Sequence, residues 1–135
     1  MCSTAKTREE TLVKNFRDLK VWQKAHQLVL AIYPASKDFP REEVYGETSQ
    51  MRRSAVSVAA NLAEGCGRGS DRALAHYVSI ASGSASELEY HLLLCHDLGW
   101  LPAKIHADLE ARTIEVKRML TGLRSKLTDD GAANR

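Results

Sequence analysis

The sequence contains few of the residues that interrupt helices or cross-link a small fold. Among its 135 residues are three prolines and eight glycines, so long segments run without a helix-breaking residue. The three cysteines, Cys2, Cys66 and Cys95, are odd in number and widely spaced, with no C-x-x-C pair. This pattern argues against a disulfide framework or a zinc knuckle, and reduced thiols indicate a cytoplasmic protein.

Net charge is also small, and long apolar runs are missing. The formal charge of +2 is too low to indicate nucleic-acid binding by itself, so a basic patch has to come from arrangement or from oligomerisation. No segment reaches the roughly 20 apolar residues that span a membrane, and charges stand where a signal peptide has its apolar stretch. The 44% apolar and 27% charged fractions fit one globular domain without membrane association.

Recognisable catalytic and cofactor motifs are missing as well. No Ser/His/Asp or Cys/His arrangement with a strained nucleophile turn occurs, and the glycine-rich segment 65–69 does not match a phosphate-binding loop. Glu87, His91 and Cys95 recur every four residues, which on a helix brings three potential metal ligands onto adjoining turns. They border the predicted core, however, and the Glu-x-x-His pairs of carboxylate-bridged metal bundles do not occur. We therefore predict a non-enzymatic protein without metal or cofactor.

What the sequence does contain is a set of apolar positions spaced by three and four, the period of an α-helix. Asp18 is a candidate cap for a first helix, and Pro34 predicts a kink or an early end near Tyr33. Phe39-Pro40 and the acids that follow indicate a turn into a second helix. The apolar positions of the first helix are Leu19, Trp22, Ala25, Val29 and Ile32.

Two further helices follow the glycine-rich segment. Ser70 or Asp71 can cap the third helix, which ends at Gly99, and Pro102 is well placed to open the fourth. No segment shows the alternation of a strand bounded by hairpin turns. The core positions of these helices are Leu74, Tyr77, Ala81, Ser84, Leu88, Leu92, Cys95 and Leu98, then Ile105, Leu109, Val116, Met119 or Leu120, Leu123 and Leu127.

The joints between the four helices are short, and short joints favour antiparallel neighbours. We therefore predict an all-α fold, an antiparallel up-down-up-down four-helix bundle over residues 16–128. A flexible N-terminal leader, 1–15, precedes it in this prediction. A disordered C-terminal tail, 129–135, follows it, because that segment is polar, small and without periodicity.

The second helix carries the most information, because its residues sort into three faces rather than two. A core line, a polar stripe about a quarter-turn wide and a flank of small residues follow one another round the helix. Such a helix has more contact-ready sides than one antiparallel partner covers, so the sequence predicts a homo-oligomer. The core line is Val44, Thr48, Met51, Ala55, Val58 and Leu62, the stripe is Gln50, Arg53, Ser57, Asn61, Glu64 and Arg68, and the flank is Val56, Ala59, Ala60 and Ala63.

Three interpretations of the polar stripe stay open: a contact between protomers, a grip on phosphates, and a solvated face. Its mixture of Arg, Asn, Ser and Gln suits specific hydrogen bonds better than the Lys and Glu of a plain surface helix, which favours the first. A glycine within the third helix costs roughly 1 kcal/mol against alanine, so it suggests a close backbone approach or else a tolerated substitution. The predicted interface residues are Gln50, Arg53, Ser57, Ala60, Asn61, Glu64 and Gly83.

The fourth helix is basic toward its end. Lys117, Arg118, Arg124 and Lys126 follow Glu115 without another acid among them. Two interpretations compete. The cations complement the helix dipole and face water, or several copies round a symmetry axis sum them into a basic ring.

Three ordered motifs carry a family resemblance that spans about residues 16–127. They are D-L-x-V-W-Q-K-A from Asp18, Q-M-R-R-S-A-V-S-V-A-A-N-L-A-E-G from Gln50, and G-S-A-S-E-L-E from Gly83. The chain resembles the bacterial four-helix-bundle family often labelled S23 ribosomal protein. Members of that family include open reading frames in intervening sequences of large-subunit ribosomal RNA genes and the accessory variability determinants of diversity-generating retroelements.

The resemblance implies an antiparallel four-helix protomer in a ring-shaped pentamer. Likeness to the retroelement members further implies a basic barrel that binds nucleic acid and a reverse transcriptase, with Arg52, Arg53 and Arg68 as the transferable basic positions. We therefore expect a non-enzymatic, homopentameric helical scaffold that binds RNA or DNA, and the alternative is a protein-interaction ring with no nucleic-acid role. The candidate nucleic-acid residues are Arg52, Arg53, Arg68, Lys117, Arg118, Arg124 and Lys126.

Overall fold

The computed structural model of the protein describes residues 15–133. Four α-helices make up most of this part of the chain, and it contains no strand. Two short 3-10 helices precede the first two α-helices. The α-helices are α1, Lys20–Ser36, α2, Glu47–Gly67, α3, Asp71–Asp97, and α4, Ala103–Ala133, and the 3-10 helices are Phe16–Asp18 and Arg41–Glu43.

The four helices form a closed bundle. Each helix packs against the next one in the chain, and α1 also packs against α4. Helices α2 and α3 are antiparallel, since Glu47 at the start of α2 lies near Cys95 toward the end of α3, and Ser57 lies near Ser84. The predicted four-helix bundle is confirmed. None of the helices among the described residues is both long enough and apolar enough to cross a membrane.

The bundle core follows the predicted three-four spacing in α2, α3 and α4. Of the core line predicted for α2, all but Val44 is buried. Thr113 of α4 was not predicted as a core residue, yet it is fully buried, because its hydroxyl donates to the carbonyl of Leu109 at 2.8 Å. The largest buried side chains include Leu28, Ile32, Met51, Leu62, Leu74, Leu88, Leu92, Leu109 and Leu120.

The start of α1 differs from the prediction. Asp18 does not cap it, because Leu19 occupies the cap position and makes no side-chain cap bond. Asn15 instead caps the preceding 3-10 helix by accepting a hydrogen bond from the Arg17 N–H at 3.0 Å. The buried line of α1 is also turned relative to the prediction. It runs through Val21, Ala25, Leu28 and Ile32, whereas Leu19, Trp22 and Val29 are only partly buried.

Pro34 does not end α1, which continues to Ser36. The Ser36 hydroxyl donates to the carbonyls of Ile32 at 2.8 Å and Tyr33 at 3.1 Å, which gives the last carbonyls of the helix a partner. Arg52 reaches across from α2 and donates to the Ser36 hydroxyl at 2.9 Å. A side chain from another helix therefore supports the turn that proline weakens.

α2 begins later than predicted. The segment after Pro40 forms a 3-10 helix, and the α-helix starts at Glu47, directly after Gly46. The Glu43 carboxylate then accepts a hydrogen bond from the Glu47 N–H at 3.2 Å. Val44 therefore lies outside α2 and is 47% exposed, so its assignment to the core line was wrong.

Glycines mark both ends of α3. Gly69, with φ of +79°, lies in the joint before it, and Ser70 caps the helix by accepting from the Ala73 N–H at 3.1 Å, as predicted. At the other end Gly99 has φ of +82°, and the N–H of Trp100 donates to the carbonyl of Cys95 at 3.0 Å. This is a Schellman motif, in which only glycine takes the left-handed position without strain.

α4 opens one residue after Pro102 and continues through Ala133. Residues 129–133, which the sequence assigned to a disordered tail, lie within the helix as described, and the disorder of the tail stays a prediction. Residues 134 and 135, like residues 1–14 of the predicted leader, lie outside the described part of the chain. Leu98 and Ile105 were predicted as core but are 50% and 42% exposed, since they flank the connection between α3 and α4.

Candidate interface on helices α2 and α3

The polar stripe of α2 lies along the junction with α3. The hydroxyls of Ser57 and Ser84 are 2.8 Å apart. Asn61 donates from Nδ2 to the Ser57 carbonyl at 2.8 Å and to its hydroxyl at 2.9 Å. These three side chains are half-buried and form one hydrogen-bonded row. The structure thus brings together Ser57 and Asn61 of the predicted interface, whereas Gly83, the neighbour of Ser84, is exposed.

A second polar network closes the stripe at the end of α2. Arg68 donates to the Glu64 carboxylate at 2.7 Å and to the Tyr77 hydroxyl at 3.0 Å, and that hydroxyl donates to the same carboxylate at 3.1 Å. The hydrogen bond from Arg68, and then that from Tyr77, lowers the pKa of Glu64. The carboxylate likewise raises the pKa of Arg68. The charge of Arg68 is therefore already compensated within one copy.

A close helix contact does occur at a glycine, but at Gly65 and not at Gly83. A Cβ atom on Gly65 would lie 2.8 Å from Cβ of Tyr77 and 3.0 Å from Cδ1 of Leu74, whereas one on Gly83 would meet nothing within 4 Å. Within one copy no other helix of the described part of the chain approaches Gly83 closely, and its place in an interface between copies stays a prediction. The three-four spacing of Ala55, Val58 and Leu62 extends to Gly65, which indicates a core position there. The sequence interpretation missed this signal because it took Gly65 as the end of the helix.

The outward surface beside this row carries few charges. On α2, Gln50, Arg53 and Ala60 are exposed, and Val56 is 40% exposed. Between Thr48 and Leu62 the only charged residues are two adjacent arginines, of which one turns toward α1. The exposed apolar side chains of α3 are Ile80, Tyr90 and Leu93.

The seven candidate basic residues do not form one patch. Arg52 donates to the Ser36 hydroxyl and, at 3.5 Å, to the Tyr33 carbonyl, and its guanidinium lies 4.7 Å from the centre of the Tyr33 ring. Lys117 donates to the Glu89 carboxylate at 2.8 Å. These two, with Arg68, are engaged inside one copy. Of the seven, Arg53, Arg118, Arg124 and Lys126 are exposed and make no ion pair with a described carboxylate.

An open groove lies between α3 and α4, and one of these exposed cations is part of its wall. Arg124 lines it together with hydroxyl side chains from both helices. A second depression continues it past Thr121 toward Glu89 and Arg118. The hydroxyl residues are Ser79, Ser82, Thr121, Ser125 and Thr128. Sequence periodicity did not reveal this groove, because its two walls lie on different helices and come from residues far apart in the sequence.

Glu87, His91 and Cys95 lie together near the start of α2, as their spacing requires, and Glu47 joins them. Glu47 pairs with Nδ1 of His91, while Glu87 lies 3.3 Å from Nε2. The Cys95 thiol donates to Glu47 at 3.8 Å, and burial, followed by the Glu47 charge, raises the pKa of Cys95 to about 12. The thiol is thus protonated and unreactive near neutral pH. No three His, Cys, Asp or Glu side chains among the described residues are placed to hold a metal ion.

A comparison with protein-family models found a match to this chain. The model for the 23S rRNA-intervening sequence protein matches residues 17–122, a range that begins before α1 and ends within α4. It includes the stripe of α2, its partners on α3 and the first part of the α3–α4 groove. A comparison with curated proteins found no match.

Proposed function

Because the chain belongs to the 23S rRNA-intervening sequence protein family, we propose that it is a non-enzymatic helical scaffold built from several copies of itself. The observation that carries this proposal is the outward surface of α2 and α3. There a hydrogen-bonded row of Ser57, Asn61 and Ser84 adjoins exposed small and apolar side chains. A ring-shaped pentamer is the assembly that the family resemblance implies.

Two properties of this surface favour a protein partner. Its α2 side carries no Lys or Glu between Thr48 and Leu62, although these residues normally cover a solvated helix, and charged residues are depleted at the centres of protein interfaces. Its polar side chains are also held in place before any contact forms, so association would cost little side-chain entropy there. Arg53, the exposed charged residue of this stretch, has no acidic partner among the described residues and can pair with a carboxylate on the next copy.

Light scattering on purified protein tests the assembly. We expect a mass several times that of one chain for the wild type, and a smaller mass for Ala60→Arg and for Arg53→Glu, each with unchanged helix content by circular dichroism. Ala111→Arg is the matched control, because Ala111 is exposed on α4, away from the proposed surface. It should leave the mass unchanged.

Two results would contradict the proposal. One is a wild-type chain that remains monomeric at high concentration. The other is an equal mass for Ala60→Arg, Arg53→Glu and Ala111→Arg. A protein partner that stays bound after nuclease treatment, with no affinity for nucleic acid, would favour a protein-interaction ring instead.

Binding of nucleic acid is a second candidate function. It is supported by the exposed Arg53, Arg118, Arg124 and Lys126, which no described carboxylate neutralises, and by the 23S rRNA context in the family's name. Phosphate binding predicts an affinity that falls steeply as salt rises. A flat salt response, or no binding of structured RNA at low salt, would remove this role.

A further inference from the structure

We propose that the groove between α3 and α4 binds the sugar–phosphate backbone of RNA. The inference rests on the second candidate function, nucleic-acid binding, and is independent of self-association. The groove is defined by two serines of α3 and by Arg124 with three hydroxyl residues of α4. Its volume of about 640 Å³ lies within the range of ligand-binding clefts.

The composition of the groove selects for an anion that also carries hydroxyl groups. Arg124 is exposed and makes no ion pair with a described carboxylate, so its planar guanidinium can take a phosphate in two parallel hydrogen bonds. Apart from Arg124, the described residues that line the groove are all serine or threonine. No carboxylate among them opposes a phosphate.

The directions of the hydroxyl hydrogen bonds sharpen this assignment. Ser79 donates to the Ala75 carbonyl at 3.3 Å, Thr121 donates to the Lys117 carbonyl, and Thr128 donates to the Arg124 carbonyl, the last two at 3.0 Å. With their protons used, these oxygens offer lone pairs to a ligand. The ribose 2′-hydroxyl is a donor that DNA lacks, so acceptors beside a phosphate-binding arginine favour RNA over DNA.

A second depression extends the groove along α4. Thr121 lines both, and beyond it lie Lys117, Arg118 and Glu89. Glu89 neutralises Lys117 at 2.8 Å, which leaves Arg118 as the cation available to a further phosphate. Arg118 and Arg124 are six residues apart, about 9 Å along the helix, so the continuous surface can follow a backbone rather than a single phosphate.

An acidic peptide fits the groove less well than RNA does. Acidic peptide motifs are recognised by clusters of arginine side chains. The described lining of the main groove has one arginine, and its other residues carry hydroxyl groups. Contacts of this kind match the 2′-hydroxyl and phosphate groups through which proteins recognise double-stranded RNA largely irrespective of sequence.

Fluorescence anisotropy with a labelled double-stranded RNA of about 16 base pairs, the length that double-stranded-RNA-binding domains span, tests the inference on the full chain. At low salt we expect the RNA duplex to bind more tightly than a DNA duplex of the same sequence. Arg124→Gln should weaken RNA binding about tenfold, the loss of one charged hydrogen-bonding group. It should also reduce the slope of log K against log salt by about 0.9.

Lys104→Gln is the matched control for charge. It removes one positive charge from the same helix, 20 residues before Arg124 and therefore about 30 Å from it along the helix axis. We expect RNA affinity within about twofold of the wild type, because Lys104 does not line the groove. Equal losses for Arg124→Gln and Lys104→Gln would show general attraction to positive charge and overturn the assignment.

The hydroxyl groups are tested with Thr121→Val and Thr128→Val, which keep shape and charge. We expect the double variant to bind RNA only as tightly as DNA, with the salt slope unchanged. Equal binding of RNA and DNA by the wild type would overturn the role of the ribose. Uridine monophosphate that binds as tightly as the oligonucleotide, or polyglutamate that displaces RNA with equal affinity, would also overturn it.

The same measurements separate the two failures. RNA that binds tightly but is insensitive to Arg124→Gln would disprove the groove while nucleic-acid binding stands. No binding of RNA or DNA at low salt would remove both. Neither result affects the mass of the assembly, which light scattering measures independently.

Discussion

The side of the bundle formed by α2 and α3 differs from the outward face of α4. On the α2–α3 side, polar side chains bond from one helix to the other, as in the Ser57–Ser84 pair, and a glycine sits where the helices touch. On α4, the exposed Arg112 and Asp108 pair within the same helix at 3.0 Å. Gly122 of α4 faces open space.

This difference separates residues that specify contacts between helices from residues that keep a helix in water. Exposed ion pairs four residues apart on one helix contribute little to stability and are typical of a solvated face. Uncharged polar groups already bonded across a helix junction define its geometry instead. Matched substitutions on the two sides should therefore have unequal effects.

The glycines provide the sharpest contrast. Gly65→Ala forces a Cβ atom within 3.0 Å of Tyr77 and Leu74, so we expect a loss of about 1–3 kcal/mol of unfolding free energy from overpacking. Gly122→Ala places its Cβ in open space and should gain about 0.5–1 kcal/mol from helix propensity. Urea unfolding measures both. Equal changes of unfolding free energy in the same direction would show that α2 and α3 are not tightly packed at Gly65.

The arginines should differ in the same sense. Arg52 is half-buried against α1, where it bonds to Ser36 and stacks on Tyr33, so Arg52→Met should cost about 1–2 kcal/mol of unfolding free energy. Arg112 has only an exposed partner on its own helix, and Arg112→Met should change stability by less than about 0.5 kcal/mol. Thermal and urea unfolding of both variants check this. A neutral Arg52→Met would mean that the Pro34 turn needs no support from α2.

Much of the fold could be predicted because helix period and end signals are local. The spacing of Leu88, Leu92 and Cys95 reports a buried face whatever lies opposite, and Gly99 marks the end of α3 through its own backbone conformation. Errors arose where a distant residue decides the local structure. α1 continues past Pro34, and its last turn is held by the Ser36 hydroxyl and by Arg52 of another helix, a contact that local sequence does not indicate.

The candidate site was less predictable for a related reason. A periodic pattern shows which side of a helix is polar, but it does not show the register of two packed helices, that is, which residues lie opposite each other. The Ser57–Ser84 bond and the contact of Gly65 with Tyr77 both depend on that register. Arg68 lies on the predicted stripe, yet only the fold shows that Glu64 and Tyr77 already occupy its guanidinium.

Gly83 extends the comparison from one copy to the assembly. Its Cβ position is open within one copy, as at Gly122, so Gly83→Ala should also raise the unfolding free energy of the dissociated chain by about 0.5–1 kcal/mol. If a second copy packs on the α2–α3 side, the added methyl group should weaken that contact. We expect light scattering at matched concentrations to show more dissociation for Gly83→Ala than for Gly122→Ala. Equal masses would place Gly83 outside the interface.

The smallest expected effect is a pH dependence at the end of the α2–α3 side. Hydrogen bonds from Arg68 and Tyr77 depress the pKa of Glu64 in the folded chain, so the unfolded chain binds more protons as acid is added. This contribution is present above the unfolded-state pKa of the carboxyl and is lost as pH falls through its folded-state pKa. Glu64→Gln should therefore flatten the acid side of the stability curve. Asp108→Asn on α4, which removes the carboxylate of an exposed pair, is the control. An equal change in slope for both variants would indicate that the hydrogen bond from Tyr77 adds nothing to the stabilisation of the Glu64 carboxylate by Arg68.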